Sequence, residues 1–280
     1  MARGDEELLE RRADEAAPLG SVFKLFVLLA TAEAVRSSEL AWNDTLVLTD
    51  ADRSLPSGRL QDQPTGTEVS VRDAAQEMIA ISDNTATDLL IRRLGRERIE
   101  AAFASVGGEG NTPWLTTKDF FTLGWGDSAV FAQWSDADDA GRRRILESLD
   151  TAPLSVDAAS VTSPAWNSGV DWFATPATVA AAHRALLDTG DETVRAILSK
   201  NPGIGADLDR ALLPYLGFKG GSAPGVLAAS WSGETVEGER VTVVIQLRGD
   251  DPAAITGAQR DVFGLGADAL RLAAEGPGQR

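Results

Sequence analysis

Gly20-Ser21-Val22-Phe23-Lys24-Leu25-Phe26-Val27-Leu28-Leu29-Ala30 holds the one long apolar run of the chain, and a serine opens it. Pro18-Leu19-Gly20 breaks the chain just before, so the pattern predicts a helix from Ser21 to about Val35. Its apolar residues fall on nearly every face, as in a helix enclosed at the centre of a domain. The run is too short to span a bilayer and contains Lys24. Residues three apart share a helix face, so the Ser21 hydroxyl and the Lys24 amine can come within reach of each other. The helix start brings unpaired backbone N–H groups to Ser21. Phe23, Leu25 and Phe26 around Lys24 favour its uncharged form. A capping serine with a lysine reaching outward is the plainer reading of the same residues.

Absences narrow the chemistry. The 280 residues include no cysteine, which removes disulfides, thiol nucleophiles and cysteine-ligated zinc. His183 is the only histidine, so a two-histidine metal motif is excluded and a Ser-His-Asp triad has one candidate base. It sits in Thr175-Pro176-Ala177-Thr178-Val179-Ala180-Ala181-Ala182-His183, an alanine-rich helix with a Thr-Pro start, the setting of an ordinary helical histidine. The net charge of −16 and pI near 4.5 oppose binding to nucleic acid or anionic membranes. No basic segment with a cleavage site precedes the apolar run. The sequence therefore reads as untargeted: cytoplasmic by default, or extracytoplasmic if the N-terminus is truncated.

Along the chain, residues 1–17 form a charged extension, expected as a loose segment or a short surface helix. Residues 18–274 read as a single catalytic unit. Within it a helical lobe covers about 42–200, and a sheet with its flanking helices comes from 21–40 and 212–274. Residues 275–280 are a tail. Helices are expected near 70–80, 84–94, 96–106, 116–123, 136–149, 175–187, 192–199 and 254–274, with a long loop at 150–171. Strands are expected at 215–222, 225–231 and 240–247. Helices first and strands last indicate an α+β fold.

Two further motifs carry polar chemistry. Ser82-Asp83-Asn84 breaks two helical stretches, where a hydroxyl and an amide can face a cleft, although a helix cap reads equally well there. Ser82 can relay a proton, and Asn84 can hold Lys24 or a substrate amide. Asp83 suits inward bonds to backbone N–H groups. Lys219-Gly220-Gly221-Ser222 ends a strand, with a cation for an anionic substrate and glycines that let a ligand approach the backbone. The Ser222 N–H can pair with that of Ser21 as an oxyanion hole.

A Ser-x-x-Lys opening a buried helix, a Ser-Asp-Asn and a late Lys-x-Gly strand, in that order, resemble the set that marks class A β-lactamases and penicillin-binding proteins. The resemblance runs over about residues 18–274. It implies a β-lactamase/transpeptidase-like α+β fold, an antiparallel sheet flanked by helices plus a helical lobe. It also implies a Ser21 nucleophile, a Lys24 base, Ser82 and Lys219 as further catalytic residues, and substrate contacts at Asn84, Gly221 and Ser222. The implied substrates are small amides, esters or β-lactams, with no cofactor or metal. A penicillin-binding sensor with little turnover, or a glutaminase of the same fold, are the alternatives.

Three features depart from the family pattern. No Glu-x-x-Leu-Asn deacylation loop follows Ser-Asp-Asn, and the corresponding distance lands near Lys118-Asp119. Gly220 stands where a threonine hydroxyl is usual. The 20 residues before Ser21 are charged, so the usual first two strands read as missing. Residues 240–247 would then be an exposed sheet edge, open to pairing with another copy.

Overall fold

A computed structural model describes residues 1–4, 6–203 and 211–276; the end of the expected 275–280 tail lies outside the described residues. The chain opens with strands β1 (Ala2–Arg3), β2 (Glu6–Glu7) and β3 (Ala17–Pro18). A tight 3-10 turn over Gly20–Phe23 then leads into helix α1 (Lys24–Arg36). The helical lobe carries β4 (Thr45–Val47), β5 (Glu68–Ser70), α2 (Val71–Ala80), α3 (Asn84–Leu94), α4 (Arg96–Ser105), α5 (Thr117–Trp125), α6 (Ser128–Asp136) and α7 (Asp139–Asp150). It is followed by β6 (Phe173–Ala174), α8 (Pro176–Asp188) and α9 (Glu192–Ser199). Strands β7 (Tyr215–Ala223), β8 (Val226–Glu234) and β9 (Arg240–Arg248) precede α10 (Pro252–Gly257) and α11 (Gln259–Glu275).

The main sheet is antiparallel in the order β2-β1-β9-β8-β7. Side chains alternate between its faces. Phe218, Ala229, Trp231, Val241 and Val243 form a core with Val262, Leu270 and Ala273 of α11. Ala228 and Val244 turn to the opposite face, toward the larger core around α1 and α8. Every residue from Lys24 to Ala34 except Glu33 is buried, as the all-round apolar pattern predicts. Phe26 meets Phe103 edge-on, with ring centroids 4.8 Å apart. Side-chain caps place the helix starts: Ser70 accepts from the Asp73 N–H, and Thr175 from the Thr178 N–H beside Pro176.

The N-terminal segment differs from expectation. It contains no helix; the first two strands of the sheet, read as missing, are present as two-residue pieces. The β9 edge explains them, because its backbone needs partners. Ala2 and Arg3 pair with Thr242 and Val241, and the Gly4 N–H donates to the Arg240 carbonyl at 2.7 Å. Strands this short and charged show no alternation by which a sequence could announce them. β1 covers β9 only at its start, leaving residues 243–248 beside a groove of about 620 Å³ lined in part by Leu9, Ile245, Leu247 and Leu265.

Candidate active site

The serine stands before the helix rather than on it. α1 begins at Lys24, and Ser21 belongs to the preceding 3-10 turn, where i and i+3 side chains are eclipsed. Gly20 holds φ at +47°, a left-handed conformation open to glycine. The turn is tied from behind by Asp171, whose Oδ1 accepts the N–H groups of Leu19 at 3.1 Å and Gly20 at 3.0 Å. From the front, β7 lies directly on it. A Cβ added to Gly221 would stand 2.7 Å from the Ser21 nitrogen, and one added to Gly20 would stand 2.8 Å from the Ser222 nitrogen. Two glycines thus let two backbones meet, with the Ser21 and Ser222 nitrogens both at the contact.

Lys24 is fully buried and points at the Ser-Asp-Asn loop. Its Nζ lies 2.7 Å from the Ser82 carbonyl, 3.2 Å from Ser82 Oγ and 2.6 Å from Asn84 Oδ1. No hydrogen bond of the Ser21 hydroxyl is found among the described contacts, and Lys24 is held by Ser82 and Asn84 instead. Burial, and then the neighbouring Lys219 charge, hold the Lys24 amine well below the usual lysine range. Lys219 reaches the same hydroxyl from β7: its Nζ is 3.1 Å from Ser82 Oγ and 2.6 Å from the Gly220 carbonyl. Burial lowers it to about 7. Ser82 itself sits at φ +59°, a strained position for a non-glycine residue.

Asp83 turns inward: Oδ1 caps α3 at the Ala86 N–H, and Oδ2 accepts the N–H groups of Arg59 and Leu60. Asn84 lines the cleft, and its Oδ1 accepts from Lys24. Its Nδ2 donates to the Leu55 carbonyl at 2.9 Å. Ser21, Ser82, Asn84, Lys219, Gly221 and Ser222 all line one cleft of about 510 Å³ between the helical lobe and β7.

Residues 2–123 match the model of the beta-lactamase enzyme family, a span that includes Ser21, Lys24, Ser82 and Asn84 but not Lys219. The structure resembles the β-lactamase of Sphaerobacter thermophilus with a TM-score of 0.65 and 24% identity, over 96% of this chain and 88% of that one. It resembles the chromosome-encoded β-lactamase of Vibrio parahaemolyticus with a TM-score of 0.63 and 15% identity, over 94% and 87%. PBP-A follows with a TM-score of 0.57 and 18% identity, over 91% and 83%. The chain has the β-lactamase-like fold. A search of curated proteins gives no match.

Within this β-lactamase-like fold the cleft has its own chemistry. Among the described residues lining it there is no aspartate, glutamate or arginine; Lys219 is the ionisable group of the lining, and Lys24 lies buried behind Ser82 and Asn84. Its walls include Phe120, Phe121, Trp172 and Phe263. Among the described residues no cluster of acidic or histidine side chains could hold a metal ion, and no helix is long and apolar enough to cross a membrane.

Sequence reasoning missed Asp171, a single aspartate at the end of a loop whose importance lies only in contacts with residues 150 positions away. It missed Ser57 as well, whose Oγ donates to the Ser82 carbonyl at 2.8 Å.

His183 lies under the sheet. It is fully buried, with Nε2 at 3.0 Å from Ser230 Oγ, which in turn donates to the Lys219 carbonyl at 3.1 Å. Ser230 has one proton and gives it to that carbonyl, so Nε2 is the donor and Nδ1, which has no partner among the described residues, carries the lone pair. Burial lowers this imidazole from 6.5 to about 3. The unfolded chain therefore takes up a proton at higher pH than the folded one. The His183 contribution to stability is complete above about pH 6.5 and lost as pH falls toward about 3. Replacing His183 with Gln is expected to make stability fall less between about pH 7 and pH 4.5, read by chemical denaturation. An unchanged pH slope would contradict the buried neutral imidazole.

Proposed function

We propose that this chain is a serine hydrolase that takes an acyl group from an amide or ester, β-lactams among them, onto Ser21 and passes it to water. The observation that carries the reading is the meeting of Ser21, Ser82 and Lys219 on one cleft, with Lys24 buried directly behind and the Ser82 hydroxyl between the two lysine nitrogens. Uncharged Lys24 takes the Ser21 hydroxyl proton as Oγ bonds to the substrate carbonyl carbon. The carbonyl oxygen gains the negative charge and meets the N–H groups of Ser21 and Ser222. As the carbon–nitrogen or carbon–oxygen bond breaks, Ser82 gives its proton to the leaving atom and regains one from Lys24. Lys219 holds Ser82 in place and adds positive potential for an anionic substrate.

Deacylation needs a base to take a proton from water. With no carboxylate among the described lining residues, Lys24 is the base at hand, and the acyl-enzyme is expected to persist. That observation favours a second reading, a penicillin-binding protein or sensor that acylates readily and turns over slowly. A fluorescent penicillin followed by a denaturing gel, run beside a chromogenic β-lactam assay, separates the two. Label without turnover supports the second reading, turnover the first.

Ser21→Ala is expected to abolish the covalent label, and label persisting on another residue would overturn the assignment. Lys24→Ala is expected to leave the chain folded while slowing acylation by about 10²–10⁴-fold. Stopped-flow acylation at the wild-type rate would contradict Lys24 as the base.

A further inference from the structure

Asp171 has no part in the acyl transfer set out above, yet it is only 5% exposed and sits behind the serine turn. Its Oδ1 gathers the N–H groups of Leu19, Gly20 and Trp172, while the buried Oδ2 has no partner among the described residues. The Leu19 N–H has a second acceptor in the Trp172 carbonyl at 2.9 Å. For the Gly20 N–H, Asp171 is the acceptor found among the described residues. The next residue grips the other end of the turn, since the Trp172 ring stacks on Phe23 with centroids 3.6 Å apart and planes 14° from parallel. Gly20 and Phe23 are thus both clamped, with Ser21 and Val22 between them.

The clamp bears on the reaction because of what faces it. Gly20 is in a left-handed conformation, and the Ser222 backbone lies so close that rotation of the Leu19–Gly20 peptide would move the Ser21 N–H relative to that of Ser222. An oxyanion hole works only when its donors are already aimed. Chain pairing between β3 and β6 would hold this region together without a buried carboxylate; Asp171 adds the bond to Gly20, one residue before the serine.

We propose that Asp171 is a positioning residue for acylation, holding the Leu19 and Gly20 N–H groups so that the Ser21 N–H is set against the Ser222 N–H to receive the substrate oxygen. This rests on Ser21 being the nucleophile. Misaiming one oxyanion donor is expected to cost less than deleting it outright, which is worth about 10²–10³-fold.

Two variants test the assignment, with fluorescent penicillin as the probe. Asp171→Ala removes the acceptor; Asp171→Asn keeps an acceptor oxygen. Asp171→Ala is expected to lower the limiting acylation rate roughly 10–100-fold while half-saturation moves less than about threefold. It is also expected to speed amide hydrogen exchange at Gly20 about tenfold or more, with exchange at Leu28 in α1 unchanged. Asp171→Asn is expected to stay within a few-fold of wild type in both. Wild-type acylation in Asp171→Ala would overturn the proposal. So would loss in Asp171→Asn as large as in Asp171→Ala, or exchange at Leu28 rising with that at Gly20. If the wild-type chain is not labelled at Ser21, the nucleophile assignment falls by itself. The Gly20 exchange then decides whether Asp171 fixes the turn.

Discussion

Two buried lysines that share one hydroxyl are costly to charge together. Lys24 from α1 and Lys219 from β7 come to Ser82 Oγ at 3.2 and 3.1 Å, and both are almost wholly buried. Desolvation penalises each charge, and each charge penalises the other. The two amines titrate as a pair, with apparent values that belong to the pair. The least costly arrangement leaves one of them neutral near pH 7, which is what a base beside a serine requires. The fold supplies the constraint. α1 is packed on every side, so Lys24 cannot turn outward, and β7 runs in register with β8 for nine residue pairs, so Lys219 cannot either.

In the proposed acyl transfer, the same enclosure would limit the second half. A cleft whose described lining has no carboxylate can activate a serine through its lysines, but it offers water little help. Acylation and deacylation are thereby set apart by composition. Gly220 adds to this, since the position beside Lys219 has no hydroxyl to orient a substrate. Its neighbour Gly221 is glycine for a different reason, the contact with the serine turn.

Much of this was legible in the sequence, and the reason is periodicity. An apolar run with no polar face implies a central helix, and the three strands at the end of the chain announce themselves by β-branched residues and turns. Ser21, Lys24, Ser82 and Lys219 stand in local patterns that can be read one at a time. What escaped depends on distant contacts. Helix α6 is short, and of its apolar face Val130, Phe131 and Trp134 only Trp134 is more than partly buried. Strands β1 and β2 exist because β9 offers an edge, not because their residues prefer to be extended. Ser21 was expected at a helix start, while the structure gives it a 3-10 turn, set by the approach of β7. Asp171, and the His183–Ser230 pair behind Lys219, have no motif around them. Their roles come from what the fold carries to them.

The lysine pair is the centre of the account, and the sequence makes it measurable. Lys24, Lys118, Lys200 and Lys219 are the only lysines, so their side-chain carbon signals can be followed individually by nuclear magnetic resonance as pH is raised. The expected result is that the signals of both Lys24 and Lys219 report titration well below the ordinary 10.5, with one apparent step of the pair near 7. Titration of Lys24 and Lys219 near 10.5 would contradict it.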